Sequence, residues 1–342
     1  MTMPGEGLQP DEFAATAARA AAACAGLEVR EQAQNLAGDG LLGVIADEEV
    51  GGLALPLGFA VPVIAAAHAR LLGFPLLETI LAGRLLQSSL PRLAAAIVSG
   101  KTLATIAWHG EAIAEREGGL LLLSGSLARA PGAAMADYIL VRMSAGAVAL
   151  IATKAEGVLV DEAAGLDLTV PEHAVRLQKV EIPIGSILPV GTWDLLNSDA
   201  NVLRAAAILG SAEACLALAQ EHASTRRQFG HALSYNQAIR HALARQKLGL
   251  ESIRHAITRS LSDDGGARQR DAAFLAAATY GSSISEGALQ IHGGMGFTWD
   301  VPVHRHLRRI RTLQAQGDAS ALISAFGRRY VSEVAPFAEA GA

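Results

Sequence analysis

The residues Phe274, Ala277, Gly281, Ile284, Ala288 and Ile291 step strictly by three and four, a spacing that lays them along one face of an α-helix. Two earlier stripes keep the same period: Leu203, Ala206, Gly210, Ala214 and Leu218, then Ile239, Leu243, Leu250, Ile253 and Ile257. A helix with such a face must bury it against other helices, and Ala and Gly in the stripes allow close approach. Asp263-Asp264-Gly265-Gly266, within residues 262–267, reads as the turn between the second and third helices.

The preceding texture is different. From about residue 101 to 190 the apolar runs shorten to 120–123, 138–142, 147–152, 158–160 and 174–180, separated by Gly, Asp, Pro and Ser. That is the signature of a small antiparallel β domain. Before it, residues 11–25, 60–72 and 76–86 read as helices, with an acidic, glycine-ended loop at residues 47–52. The chain is 51% hydrophobic but only 4% aromatic, which suits close-packed Ala- and Leu-rich helices more than a sheet-dominated protein. The expectation is a mainly α protein with a central β domain: a helical domain over residues 1–100, a β domain over 101–190 and a helical bundle over 191–342.

Several function classes fall away. A net charge of −5 gives no basic field for nucleic acid. Cys24 and Cys215 lie outside any CxxC pattern, which argues against a disulfide scaffold or a cysteine zinc site. The apolar stretch at residues 53–67 is short and broken by Pro56, Gly58 and Pro62, so no membrane span is expected. Residues 1–12 lack a basic start before an apolar run, and a soluble cytoplasmic protein is expected. The glycine cluster Gly293-Gly294-Met295-Gly296 follows a helix, whereas a nicotinamide-binding loop follows a strand. His304 and His306 are two apart, so on a helix they point to different faces and do not chelate one metal.

Two helix ends carry chemistry. Arg226-Arg227-Gln228-Phe229-Gly230 closes the first long C-terminal helix, with Gln237 seven residues on; a guanidinium beside an aromatic ring and a glycine suits a pyrophosphate with an adjacent flat ring. Gln290-Ile291-His292-Gly293-Gly294-Met295-Gly296-Phe297-Thr298 ends the third, where glycines with φ > 0 can expose backbone N–H groups to a phosphate. Each motif alone also fits an ordinary helix end, the first as a basic C-terminus and the second as a glycine cap.

Together, in this order, they resemble the acyl-CoA dehydrogenase family, with its R-x-x-F-G helix end, following Gln, and Q-x-x-G-G-x-G-(F/Y)-T. The segment from Gly40 to Leu53 is similar to the family's GLLG…PEEYGG stretch. The resemblance covers nearly the whole chain. It implies an N-terminal helical domain, a small antiparallel β barrel and a C-terminal four-helix bundle. It also implies α,β-dehydrogenation of an acyl-CoA thioester with FAD as cofactor and electron-transfer flavoprotein as acceptor. Arg226, Phe229, Gln237, Gln290, Gly293 and Gly294 match the positions that hold the ADP half of a flavin seated on another subunit.

The chain departs from the pattern where the reaction occurs. Ungapped matching puts Gly317 at the family's catalytic Glu, followed by Asp318, and puts Ala200 at the alternative position used by some relatives, beside Asp199. The flavin-facing T-E-P-x-x-G-S-D and W/F-I-T-N segments are replaced by residues 107–112 and 127–132. This combination resembles the short α subunit of heteromeric α2β2 enzymes acting on steroid side-chain CoA esters in bacteria. It implies self-association and a longer, base-bearing β subunit as partner, with a bulky acyl-CoA as substrate. A homomeric enzyme using Asp318 as a displaced base, and a flavin-free binding protein on the same fold, stay open as alternatives.

Overall fold

The computed structural model describes residues 9–117, 120–163 and 165–334. Five helices come first: α1 (Glu12–Ala23), α2 (Val29–Gly38), α3 (Ala60–Ala69), α4 (Leu76–Leu86) and α5 (Pro91–Val98). Pro91 opens α5 at a position where a missing N–H leaves no intrahelical bond unmade. Helix α4 is buried nearly all round, because α5, α6 and the sheet each cover part of it.

Strands β1 (Ala104–Glu117), β2 (Leu120–Pro131), β3 (Tyr138–Met143), β4 (Val148–Ala152), β5 (Val158–Glu162), β6 (Glu172–Glu181) and β7 (Ile187–Leu188) follow. The expected antiparallel barrel is overturned. The strands form one open, mixed sheet in the order β5-β6-β2-β1-β3-β4-β7, and β1 runs parallel to β3. The parallel pair follows from the chain path, since β2 returns alongside β1 and the chain then re-enters beyond β1's other edge as β3. Closure would require β5 to meet β7, but the two-residue β7 pairs with β4 and β5 pairs with β6. The sequence reading missed β1 altogether because its first five residues are all buried, which removes the alternation that marks a half-exposed strand.

Helix α6 (Thr192–Thr225) begins the last region, followed by the hairpin β8 (Arg227–Gln228) and β9 (His231–Ala232), then α7 (Gln237–Ser260), α8 (Ala267–His292), α9 (Val303–Gln316) and α10 (Ala319–Val334). The expected four-helix bundle gains a fifth member, since α10 lies against both α8 and α9. Helix α6 is long and apolar enough to cross a membrane by length and composition, yet 78% of its apolar window is buried inside the protein. It is a core helix, packed on α3, α4, α7, α8 and α9. Its contact with α3 is set by Gly210, where a Cβ would lie 2.6 Å from the carbonyl carbon of Ala65 and closer still to the oxygen.

The β5–β6 connection is tied to the helices by a buried ion pair. Arg309 Nε donates to Asp167 Oδ2 at 2.6 Å, and Arg309 Nη2 donates to Leu72 O at 2.9 Å and to Thr169 Oγ1. Thr169 caps the other carboxylate oxygen through its N–H and its hydroxyl, at 2.9 and 2.6 Å. Burial alone would raise the Asp167 pKa; the Arg309 charge and these hydrogen bonds outweigh it and hold the carboxyl below its ordinary value. His68 and His306 lie beside this pair. Burial, then the Arg309 charge, pushes His68 well below its ordinary value and lowers His306 to about 3.

These groups fix the direction of acid lability. The folded chain refuses protons that unfolded histidines bind below about pH 6.5, so the stability tied to His68 and His306 is present above that pH and lost as pH falls. Asp167 adds a second loss as pH drops through the carboxylate range near about 4. Denaturant melts should show the unfolding free energy falling by about 1.4 kcal/mol per pH unit per histidine below about pH 6.5; a flat profile from about pH 7 to 5 contradicts neutral buried histidines. Separately, Gly210→Val should lower stability by about 1–3 kcal/mol through overpacking at the α3–α6 contact, and an unchanged denaturation midpoint would show that the two helices can separate without penalty.

Candidate functional site

Where the resemblance puts the catalytic carboxylate, the protein is solid. Gly317 ends α9, and a Cβ there would lie 2.6 Å from Phe274 Cε1, closer to its Cζ, and 3.2 Å from Arg204 Cδ. Phe274 from α8 and Arg204 from α6 are both fully buried. The Arg204 guanidinium carbon lies 4.0 Å above the centre of the Trp108 ring, a cation–π contact strengthened by the absence of water. Trp108, from β1, donates its indole N–H to Glu78 Oε1 of α4 at 2.9 Å. Arg204 Nη1 donates to Asn201 Oδ1 at 2.7 Å and Asn197 Oδ1 at 3.0 Å, and Asn201 passes a hydrogen bond on to Asp271 at 2.8 Å.

The electrostatics show how confined this cluster is. Burial lowers the Arg204 pKa to about 9 despite the nearby Glu78 charge. Burial likewise raises Glu78, against the opposing pull of the Trp108 hydrogen bond and Arg204. Arg204 Nε and Nη2 have no hydrogen-bond partner. Four elements thus converge on one corner and fill it with a ring, a guanidinium, an indole and a carboxyl. Sequence reading placed Phe274 on a buried helix face but did not single out Arg204, Trp108 as a packing group, or Glu78. The available signal was that Ala200, Arg204, Ile208 and Ala212 share one i, i+4 row of an otherwise small and apolar helix.

The other predicted acid positions are engaged elsewhere. Ala200 is buried in α6. Asp199, one residue away, pairs with Arg270 and, at 3.2 Å, with Arg84. Asp318 accepts from the Ala321 N–H at 3.2 Å, so it caps the first turn of α10. The replaced flavin-facing segments are also tied down. His109 Nε2 is 3.3 Å from Gln316 O, Arg129 pairs with Glu172 at 2.9 Å, and Gln316 Nε2 donates to the second Glu172 oxygen at 3.0 Å. His109 and Arg129 edge an open cleft of about 610 Å³ shared with Arg311, Gln314 and Asp318.

A second set of predicted residues meets at the far end of α6. His222 of α6 and His292 of α8 stack with ring centroids 4.5 Å apart, bringing Arg226 and Gly293 to neighbouring helix ends. Burial, then the His292 and Arg226 charges, lowers the His222 pKa. Ala219, Ala223, Ile291, Leu233 and Ile239 form the apolar floor beneath, and Leu233 N–H donates to Arg226 O at 2.9 Å, closing the hairpin. Phe229 occupies the hairpin tip at φ 52° and is 92% exposed. Gln237 begins α7, and Arg226, Gln237 and Gln290 are exposed.

Gly293 has φ 61°, and a Cβ on it or on Gly294 would meet open space. The Gly293 N–H is already used, donating to Gln290 O and Leu289 O, which corrects the expectation that this glycine offers its N–H to a phosphate. What remains is an exposed face of guanidinium, amides and bare backbone, with Phe297 and Trp299 also exposed nearby in sequence. The test of fit to FAD is therefore split. The face around Arg226 has the donors and free space that an adenosine diphosphate group requires, while the corner has no room for a side chain at position 317, and the carboxyl it does hold, Glu78, is buried and engaged by the Trp108 indole.

Comparison with known proteins agrees with this architecture. Residues 195–320 match the family model described as "Acyl-CoA dehydrogenase, C-terminal domain". Acyl-CoA dehydrogenase FadE27 of Mycobacterium tuberculosis is 28% identical over 330 residues, spanning 87% of each chain. Acyl-CoA dehydrogenase FadE34 of the same organism is 28% identical over 280 residues, covering 80% of this chain but only 38% of that protein's length. Among solved structures, a chain of the ChsE4–ChsE5 complex from Mycobacterium tuberculosis superposes with a TM-score of 0.85 at 25% identity, over 97% of this chain and 98% of its own. A chain of the Tcur3481–Tcur3483 steroid ACAD G363A variant has the same fold, with a TM-score of 0.85 at 22% identity over 95% and 98% of the two chains. Residues 195–320 thus match an acyl-CoA dehydrogenase C-terminal domain, and with its helix-end motifs and helix–sheet–helix order the chain is similar in fold to acyl-CoA dehydrogenases over nearly its whole length.

Proposed function

We propose that this chain is the base-lacking subunit of a heteromeric, FAD-dependent acyl-CoA dehydrogenase, and that it completes a flavin site on a longer partner subunit. The observation that carries the reading is the filled corner at Gly317, where Phe274 and Arg204 occupy the space that a side chain at this position would need. The likeness to a chain of a two-protein complex over nearly its full length supports the same assignment.

FAD, when bound, supplies the acceptor for a hydride leaving the acyl β-carbon. In this reading the chain's own residues bind and orient it. Arg226 gives a charge-assisted contact to the pyrophosphate, Phe229 offers a flat face to the adenine, and Gln237 and Gln290 offer amide donors. Gly293 and Gly294 let the ligand approach the backbone closely. The proton is removed by a Glu of the partner. Electron-transfer flavoprotein as acceptor, a bulky steroid-side-chain acyl-CoA as substrate, an α2β2 assembly and the cytoplasm as its place follow from the same resemblance. The homomeric reading is weaker, because Asp318 is committed to capping α10 and Asp199 to Arg270 and Arg84.

Co-expression and co-purification of this chain with a longer, glutamate-bearing acyl-CoA dehydrogenase, followed by flavin absorbance and native mass, tests the proposal. A flavin-loaded, active homotetramer of this chain alone would overturn it. In the complex, Arg226→Ala should weaken flavin retention about 10- to 100-fold, the equivalent of a charged hydrogen bond worth about 1.5–3 kcal/mol; unchanged flavin content counts against the Arg226 assignment. Gly317→Glu should create no turnover in the isolated chain and should lower its stability by about 1–3 kcal/mol through overpacking against Phe274, so a stable and active Gly317→Glu chain would show that the corner can open.

A further inference from the structure

A groove of about 580 Å³ lies between the α1–α2 turn, the α3–α4 turn and the start of α9, lined also by Thr169 and His306 beside the buried Arg309–Asp167 pair. Its volume falls within the roughly 300–1,000 Å³ of small-molecule sites. Two guanidiniums line it, Arg70 at the end of α3 and Arg305 in the first turn of α9, and no carboxylate side chain does. Neither arginine forms an ion pair among the described residues. The groove is therefore electropositive with both cations available.

Its floor has polar atoms without partners. Gln32 is 7% exposed; its Nε2 donates to Leu27 O at 2.9 Å, which fixes the amide orientation and leaves Oε1 unbonded. His306 is 2% exposed with Nδ1 unbonded, and its pKa near 3 keeps the ring neutral, so it serves as a hydrogen-bonding group and not as a third charge. A buried polar atom without a partner is unfavourable unless something supplies one. Thr169 and the thiol of Cys24 also line the groove, and the remaining wall is mostly Ala, Leu, Gly and Pro, a surface suited to a compact ring.

We infer that this groove binds a small organic phosphate, a nucleoside or sugar monophosphate, with the phosphate between Arg70 and Arg305 and a hydroxyl or amine donor on Gln32 Oε1. Two cations facing one open space suit a dianion better than a monocarboxylate. The unbonded Gln32 Oε1, an obligatory acceptor, and the unbonded His306 Nδ1 favour a ligand that carries hydrogen-bonding groups as well as a charge. This site shares no residue with the filled corner or with the Arg226 face, and its test reads binding, independently of flavin content or turnover.

The experiment is calorimetric titration of the purified protein, as the complex where it assembles, at low salt with adenosine 5′-monophosphate, ribose 5-phosphate and inorganic phosphate. At least one organic phosphate should bind at least tenfold more tightly than inorganic phosphate. Arg70→Ala and Arg305→Ala should each weaken that binding by at least tenfold, and Gln32→Met should bring the organic phosphate down to the affinity of inorganic phosphate. Arg70 is exposed, so its replacement leaves the fold intact, and the thermal midpoint without ligand checks the other variants. No binding at millimolar ligand, equal affinity for all three probes, or binding that survives loss of both arginines would overturn the inference.

Discussion

Helix α6 runs for 34 residues through the protein, and the rest of the structure is arranged around the small side chains that let other helices approach it. From Ala200 to Ala212 every residue is buried. Gly210 brings its backbone against Ala65 of α3, and the absence of a side chain on Gly281 makes room for Ile208 of α6. Such contacts fix helix spacing by backbone sterics, which leaves little freedom for sliding or rotation. The helix therefore acts as a rigid spacer between two chemical regions. Arg204 and Arg226 are separated by about 33 Å at 1.5 Å per residue, so one rod fixes the geometry of both the closed corner and the exposed face. A ligand held at Arg226 is far from this chain's own Gly317.

Among the described residues two arginines are buried, Arg204 and Arg309, and they are stabilised differently. Arg309 meets a carboxylate at 2.6 Å whose remaining lone pairs are satisfied by Thr169, the arrangement under which a buried pair can recover its desolvation cost. Arg204 has no carboxylate in direct contact; an indole face and two amide oxygens hold it instead. Its pKa drops and that of Glu78 rises, both signs of charges held at a penalty. An arrangement of that kind adds less to stability than to fixing which side chains occupy the space. The cleft of about 610 Å³ edged by His109 and Arg129 stops short of the corner that Arg204 and Phe274 fill.

Much of the helical architecture could be read in the sequence because it is local. The stripe from Phe274 to Ile291 lies on α8, and the Arg226 and Gly293 motifs fall at the ends of α6 and α8, since periodicity and glycine punctuation act within a few residues. Sheet closure depends on which distant strands share an edge, and nothing in the runs around β5 or β7 states that they stay apart. The start of strand β1 was invisible for a related reason, as a stretch covered on both faces has no alternation. Burial of Arg204 was hidden because composition marks arginine as a surface residue; only its place in the row Ala200, Arg204, Ile208, Ala212 pointed inward.

The geometry also joins observations that look independent in the sequence. A glycine at 317 reads first as the loss of one functional group. Its surroundings give another account, because a side chain at that position and the present positions of Phe274 and Arg204 exclude each other. Arg204 in turn needs the Trp108 ring, and Trp108 needs the Glu78 carboxyl for its indole N–H. The changed segment at residues 107–112, the buried arginine and the glycine at the end of α9 are thus members of one packed unit. Restoring any single member would leave it in conflict with the others, so the closure of this corner is a property of the whole unit and is maintained by the packing of four elements.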